Sequence, residues 1–171
     1  MTDWEAVIGQ HVAVVHRTVC RLVGNYADAW DCIQDTFLEA VKIDRREPIR
    51  NWSALLRHLA TAKALDLLRR RIRQRARYSA DADPADAASR EPNPAGHAEA
   101  SELADRLRVA VRQLPNRQAQ VFCLTCFEQM SSEDVAERLG VSPAAARMLL
   151  LRARERLRIL LQPSDSSIAT R

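Results

Sequence analysis

Apolar side chains return every three or four residues through most of this chain, the period of an α-helix that buries one face. Trp4, Val7, Ile8, Val12, Val15, Val19 and Leu22 form the first stripe, and Gly24-Asn25 supplies a stop, so a helix is expected from Asp3 to Val23. Trp30, Ile33, Phe37 and Val41 mark a second, reaching about Lys42. Ile43 to Arg50 contains Asp44, Arg45, Arg46, Glu47 and Pro48 without a period and reads as a short charged loop. A longer helix is expected from near Asn51, with Leu55, Leu56, Leu59, Ala62, Leu65, Leu68 and Ile72 inward, ending in a run from Arg69 to Arg77 in which six of nine residues are Arg.

After Tyr78 the pattern stops. Ala, Asp, Pro and Ser dominate up to Ala100, with Pro84, Pro92, Pro94 and Gly96, the composition of a flexible linker that spans up to about 70 Å at ~3.3 Å per residue. Periodicity returns with Leu103, Leu107, Ala110 and Leu114, and Pro115 fits the opening of a fifth helix that runs to about Phe127. Ser131-Ser132-Glu133-Asp134 offers an N-cap with acids in the first turn of a sixth helix, Gly140 ends it, and Ser142-Pro143 starts a seventh. From Gln162 the chain reads as a disordered tail. The expected fold is all-α: two small helical domains (1–78 and 101–161) joined by a flexible acidic linker (79–100), with residues 162–171 as the tail.

Composition narrows this further. A chain of 171 residues allows one ordinary domain or two small ones and excludes a large multidomain enzyme. Aromatics at 5% and only 4 glycines, beside abundant Ala, Leu and Arg, favour helices over sheets. The longest stretch without Asp, Glu, Lys or Arg is Ala6 to His16, far short of the roughly 20 apolar residues that span a bilayer, so no membrane insertion is expected. Acidic Asp3 and Glu5 stand where a signal peptide needs a basic flank, which points to the cytoplasm.

Charge then suggests a partner. Residues 1 to 78 carry 14 basic and 9 acidic side chains, residues 79 to 101 carry 1 and 5, and residues 102 to 171 carry 11 and 8. Two basic blocks thus flank an acidic joint. Of the cations only Lys42 and Lys63 are lysine, and arginine's planar donor fork suits phosphates and guanine edges. The run from Arg69 to Arg77 is either a solvated helix end or a phosphate-contacting surface.

Ser132 to Leu151 has the spacing of a helix-turn-helix: apolar Val135, small Ala136 where two helices touch, Leu139, Gly140 in the turn, then Val141, Ala146 and Leu150. The second helix of such a motif enters the DNA major groove, and its exposed face here would be Ser142, Pro143, Ala144, Arg147, Met148 and Leu151. Arg147 is the long polar reader on that face. Met148 and Leu151 either meet thymine methyls or pack against another helix or a bound regulator.

The two halves together resemble a known family. Asp28-Ala-Trp-Asp31-Cys-Ile-Gln34-Asp35-Thr36-Phe37 and Leu59-Ala60-Thr-Ala-Lys-Ala-Leu65-Asp66-Leu-Leu-Arg69-Arg70 resemble motifs of the extracytoplasmic-function (ECF) sigma factors of bacterial RNA polymerase. In the second half, Leu114-Pro115-x-Arg117 with Val121-Phe122, and the helix-turn-helix ending Arg152-Ala153-Arg154-x-x-Leu157-Arg158, resemble that family's promoter-distal domain. The chain departs from the pattern at Trp30, Ala62 and Leu55, and Ala145 to Leu149 replaces a more polar recognition helix.

The resemblance implies a transcription initiation factor with RNA polymerase core and promoter DNA as partners, and commonly an inhibitory anti-sigma protein. It places Asp31, Gln34, Asp35 and Glu39 against the polymerase clamp. It gives the minus-ten element to the first domain, with Arg45 and Arg46 in a loop from Lys42 to Asn51 that folds over unpaired bases, and Arg57, His58, Thr61, Lys63 and Arg69 on the backbone. The minus-thirty-five element falls to Ser142, Ala144, Arg147, Met148, Leu151 and Arg154. The acidic linker, with nucleic-acid-like charge, suits a basic channel.

Competing readings are weaker. Cys20, Cys32, Cys123 and Cys126 are expected to be reduced, and neither Cys123-x-x-Cys126 nor His16-x-x-x-Cys20 has the four-ligand spacing zinc favours, so no metal and no cofactor is expected. There is no phosphate-binding glycine loop, nucleophile elbow or helical His-Glu-x-x-His, so an enzyme is not expected. A stand-alone helix-turn-helix regulator would account for the second half but not for the Asp28 to Phe37 segment.

Overall fold

The computed structural model describes residues 2–23, 26–78 and 98–162. Among them are seven α-helices and no strand: α1 (Trp4–Val23), α2 (Tyr26–Asp44), α3 (Trp52–Tyr78), α4 (Ala98–Gln113), α5 (Asn116–Phe122), α6 (Ser132–Leu139) and α7 (Pro143–Leu161). A π-helical segment, Cys123–Phe127, extends α5. The all-α expectation holds. The stop at Gly24-Asn25, most of the linker and residues 163–171 lie outside the described residues, and α4 begins at Ala98, inside the stretch read as linker.

Local chemistry sets the helix starts. The carboxylate of Asp3 accepts from Ala6 N–H at 3.1 Å, and the Asn51 side-chain oxygen accepts from Ala54 N–H at 2.9 Å. Ser131 and Ser142 likewise cap α6 and α7, each hydroxyl accepting at 3.1 Å, from Asp134 and Ala145 N–H. Each cap satisfies one of the N–H groups that the first turn leaves without a partner. At the far end of α6, Gly140 adopts φ 62°, with Val141 N–H on Ala136 O at 3.0 Å and Gly140 N–H on Glu137 O at 3.3 Å. This Schellman arrangement turns the chain sharply into α7.

Helices α1, α2 and α3 pack together, as do α4 through α7. Val15, Val19, Leu22, Cys32, Ile33, Phe37, Leu56 and Leu65 are buried in the first group. Fully burying one such aliphatic side chain contributes about 1.5 to 3 kcal/mol before entropy is counted. Trp4 and Trp52 meet edge to face at 5.1 Å, and an Arg71–Asp28 ion pair ties α3 to α2. Four residues depart from the inward stripes expected. Trp30 is 47% exposed beside the His16 ring, and Ile8, Ile72 and Leu103 are exposed as well, because each lies at the margin of a stripe that Ala29, Val7, Leu68 and Leu107 already turn inward.

The two groups share buried side chains. Leu114, Ala119, Phe122, Cys123, Ala153 and Leu157 share one buried cluster with α1, α2 and α3. Ala54 of α3 reaches into a second cluster with Val121, Leu124, Met130, Val135 and Leu139.

Candidate nucleic-acid interface

On α2, the heptad that buries Cys32, Ile33, Thr36, Phe37 and Ala40 leaves Asp31, Gln34, Asp35 and Leu38 exposed on the other side. Spacings of three and four residues put Asp31, Gln34 and Asp35 on one face. Glu39 lies at its edge, 3.3 Å from the Lys42 ammonium and 3.7 Å from that of Lys63. The hydrogen bond and charge of Lys42 hold the Glu39 carboxyl below its usual range, with a smaller contribution from Lys63, so it stays ionised at neutral pH.

The connection from α2 to α3 is shorter than expected, because α2 continues to Asp44. Ile43 O accepts from Arg46 N–H at 2.8 Å and Glu47 N–H at 3.0 Å, a turn that leaves Arg45 and Arg46 exposed. Beside it is a cleft of about 590 Å³, lined by Ile43, Glu47, Pro48, Ile49, Arg50, Leu55, His58 and Leu59 and closed on its far side by Glu137 and Arg138 of α6.

The candidate residues of α3 are in different surroundings. Lys63 pairs with Glu39. Thr61 is fully buried, and its hydroxyl has no hydrogen-bond partner. His58 is held below its ordinary pKa by burial first, then by Arg138 and Arg117. Arg57 donates to Glu128 O at 2.8 Å and approaches the Glu128 carboxylate at 3.9 Å. Arg69 donates to the Asn116 side chain at 2.5 Å and to Leu114 O at 3.3 Å. The structure therefore spaces Arg57, His58 and Arg69 along α3, each against a different part of the second half of the chain.

Sequence reading missed the residues that make this contact. The π segment closes with Glu128 N–H on Cys123 O at 3.1 Å, and Gln129 follows at φ 55°. The wider π turn aims Glu128 back toward α1, where Arg21 meets its carboxylate at 3.2 Å and donates to Phe127 O at 2.7 Å. Arg108 in turn donates to Arg21 O at 2.8 Å. The one available signal was a lone carboxylate at the end of the apolar run Val121 to Phe127.

Helices α6 and α7 form the expected helix-turn-helix. Val135, Ala136, Leu139 and Ala146 are buried, and Arg117 donates to Leu139 O at the turn. Ser142, Pro143, Ala144, Arg147, Met148 and Leu151 are all exposed along the outer side of α7, with Arg154 continuing beyond them. Arg147 lies 3.7 Å from Glu133, a solvent-exposed pair of the kind worth at most about 1 kcal/mol. Its guanidinium is thus available to a base edge. Arg154 sits 3.8 Å from the Cys126 sulfur.

The cysteines are of a different character. Burial pushes the Cys123 thiol up to about 12 and the Cys32 thiol to about 11, with neighbouring carboxylates of Asp35, Asp28 and Asp31 adding to the latter. Both stay protonated near neutral pH, the inert form of the group. Among the described residues no three His, Cys, Asp or Glu side chains converge as a metal site, and no helix is long and apolar enough to cross a membrane.

An arginine-rich helical unit followed by a helix-turn-helix with an exposed outer face is an arrangement suited to nucleic acid. Comparison with known proteins is specific about the family. Residues 7–74 match the Sigma-70 region 2 family and residues 104–157 match Sigma-70, region 4. The chain is 31% identical over 169 residues to the RNA polymerase sigma factor CarQ of Myxococcus xanthus, covering 97% of this chain and 93% of that one. It is 30% identical over 172 residues to the ECF RNA polymerase sigma factor SigE of Mycolicibacterium smegmatis, covering 99% of this chain but 65% of that protein's length. The fold is similar to that of the sigma factor RpoE of Bartonella quintana, solved in complex with the anti-sigma factor NepR, with a TM-score of 0.60 at 24% identity over 96% of this chain and 99% of that one. The chain belongs to the ECF sigma factors of RNA polymerase, a family of initiation factors and not of enzymes.

Proposed function

We propose that this chain is a transcription initiation factor that binds core RNA polymerase in the cytoplasm and directs it to specific promoters. The observation that carries this reading is the pairing, in one chain, of an exposed acidic face on α2 with an exposed reading face on α7. Residues 1–78 form the unit that docks on the polymerase clamp through Asp31, Gln34, Asp35 and Glu39 and opens the minus-ten element. Arg45 and Arg46 lie in the loop beside the cleft, and Arg57, His58, Lys63 and Arg69 line the strand, whereas Thr61 is buried behind them and does not reach it. Residues 101–161 grip the minus-thirty-five element through Ser142, Ala144, Arg147, Met148, Leu151 and Arg154, and residues 79–100 tether the two.

Met148 and Leu151 are each about half exposed, at 49% and 51%, in the middle of that reading face. They suit thymine methyls, and also the apolar side of an anti-sigma protein that would block the same face. A stand-alone regulator has no use for the α2 face. Charge reversal of Asp31 and Asp35 to Lys separates the two functions: the variant is expected to keep its thermal midpoint and lose at least ten-fold in affinity for purified core polymerase. Normal core binding by the variant contradicts the assignment.

A further inference from the structure

We propose that Glu133 is a positioning residue that sets DNA specificity: its carboxylate steers the Arg147 guanidinium toward base edges and keeps phosphate away from it. The proposal deepens the functional reading above and rests on it for α7 as the reading helix.

Among Ser142, Pro143, Ala144, Met148 and Leu151, Arg147 is the one long polar side chain in the centre of the outer face of α7. Polar readout there depends on where a single guanidinium points. Glu133 and Arg147 come from different helices of the motif, are 69% and 60% exposed, and stand 3.7 Å apart. That separation is too long for a hydrogen bond, so the pair occupies no donor of the arginine fork while the charge still biases its position. The start of α6 is satisfied without Glu133. Its neighbour makes the cap: Ser131 Oγ donates to the Asp134 carboxylate at 2.7 Å and accepts from Asp134 N–H at 3.1 Å.

The first helix of such a motif crosses the DNA backbone, and a helix N-terminus beside an arginine would otherwise attract phosphate of any sequence. A carboxylate in that first turn opposes it. Phosphate carries a full charge and is repelled, whereas the N7 and O6 acceptors of guanine are neutral and are penalised far less. Glu133 therefore lowers affinity for DNA in general and raises discrimination, because the arginine fork is denied its indiscriminate partner.

The test uses holoenzyme, the full chain bound to purified core polymerase, and a pool of duplexes of random sequence. Retained duplexes are sequenced, and base preference is read at each position of the enriched upstream element. Arg147→Ala is expected to lower the preference at the base pairs it reads by roughly ten-fold. Glu133→Gln is expected to weaken preference at those same pairs by about three- to five-fold, to leave the other positions as in wild type, and to raise retention of unselected DNA. In the Arg147→Ala background, Glu133→Gln is expected to change no base preference further. Glu133→Asp keeps the charge at the start of α6 but draws it back by one methylene, and is expected to fall between wild type and Glu133→Gln. Preference lost evenly at all positions, lost equally without Arg147, or unchanged in Glu133→Gln overturns the proposal and leaves the reading of α7 standing. If wild type enriches no element, or Arg147→Ala leaves every preference intact, the reading of α7 falls and the proposal falls with it.

Discussion

Buried threonines show how one residue type records two environments. Thr18 donates to Val14 O at 3.0 Å and Thr36 to Cys32 O at 2.7 Å, both one helical turn back, and both are spent inside the fold. Thr61 is equally buried, on the side of α3 that the second half covers, yet its hydroxyl bonds to nothing. An unsatisfied buried polar group costs about 1 to 3 kcal/mol, so the near-isosteric Thr61→Val is expected to stabilise the free chain by roughly 1 kcal/mol in denaturant unfolding. The same change in Thr36 removes a made bond and is expected to destabilise by a similar amount. Equal losses at both positions would show that Thr61 has a partner in the native state.

At the scale of elements, the helix-turn-helix depends on one backbone conformation. Gly140 holds φ 62° with open space around its Cα, so a side chain there meets no steric wall and only the left-handed backbone opposes it. Gly140→Ala is expected to lower stability by about 1 kcal/mol, and Gly140→Asn by less, because Asn tolerates that region. Equal thermal midpoints for all three would contradict the role given to the turn. Helix boundaries of this kind were legible in the residues: Asp3, Asn51, Ser131 and Ser142 announce caps, and Gly140 announces a stop. The exposed face of α7 followed directly from the position of Pro143 and the period of 3.6. Less legible was which side of a wide stripe would face in, so Ile8, Trp30, Ile72 and Leu103 were placed inward on periodicity that their neighbours satisfy. The π segment has no compositional mark at all, since a backbone bond from residue 128 to residue 123 depends on how Phe127 and Glu128 are held by α1.

The whole molecule depends on pairs far apart in the chain, which is why the closed arrangement was invisible beforehand. Arg21 and Glu128 are 107 residues apart, and Arg57 and Glu128 are 71 apart. The linker-like composition from Tyr78 to Ala100 divided the chain into two helical units, and the described residues of both share a buried cluster. Closure also has a pH dependence. His58 faces Arg138 and Glu137 from α6, and Glu47 and Arg50 from the α2–α3 connection, while Arg117 of α5 adds to the positive field. Burial and then Arg138 and Arg117 hold it below its ordinary value, so the closed form prefers the neutral ring. Opening returns His58 toward about 6.5, and the open form then binds the extra proton. The contribution of His58 to closure is therefore complete above about pH 6.5 and is lost as pH falls from there toward the depressed value. Acidification from pH 7.5 to 5.5 is expected to expand the wild-type chain in solution scattering, and His58→Gln to remove that step. A step that survives the substitution assigns the pH response to another group.

Initiation itself is measured most directly by runoff transcription with purified core polymerase on a fragmented genomic library, with and without the chain. The expected result is a discrete set of start sites that appears only when the chain is added. Those sites share one pair of upstream elements, and they disappear with the Asp31 and Asp35 reversal while the variant remains folded. Transcripts no different from those of core alone, or start sites without a common upstream sequence, would contradict the account of this chain as a promoter-directing sigma factor.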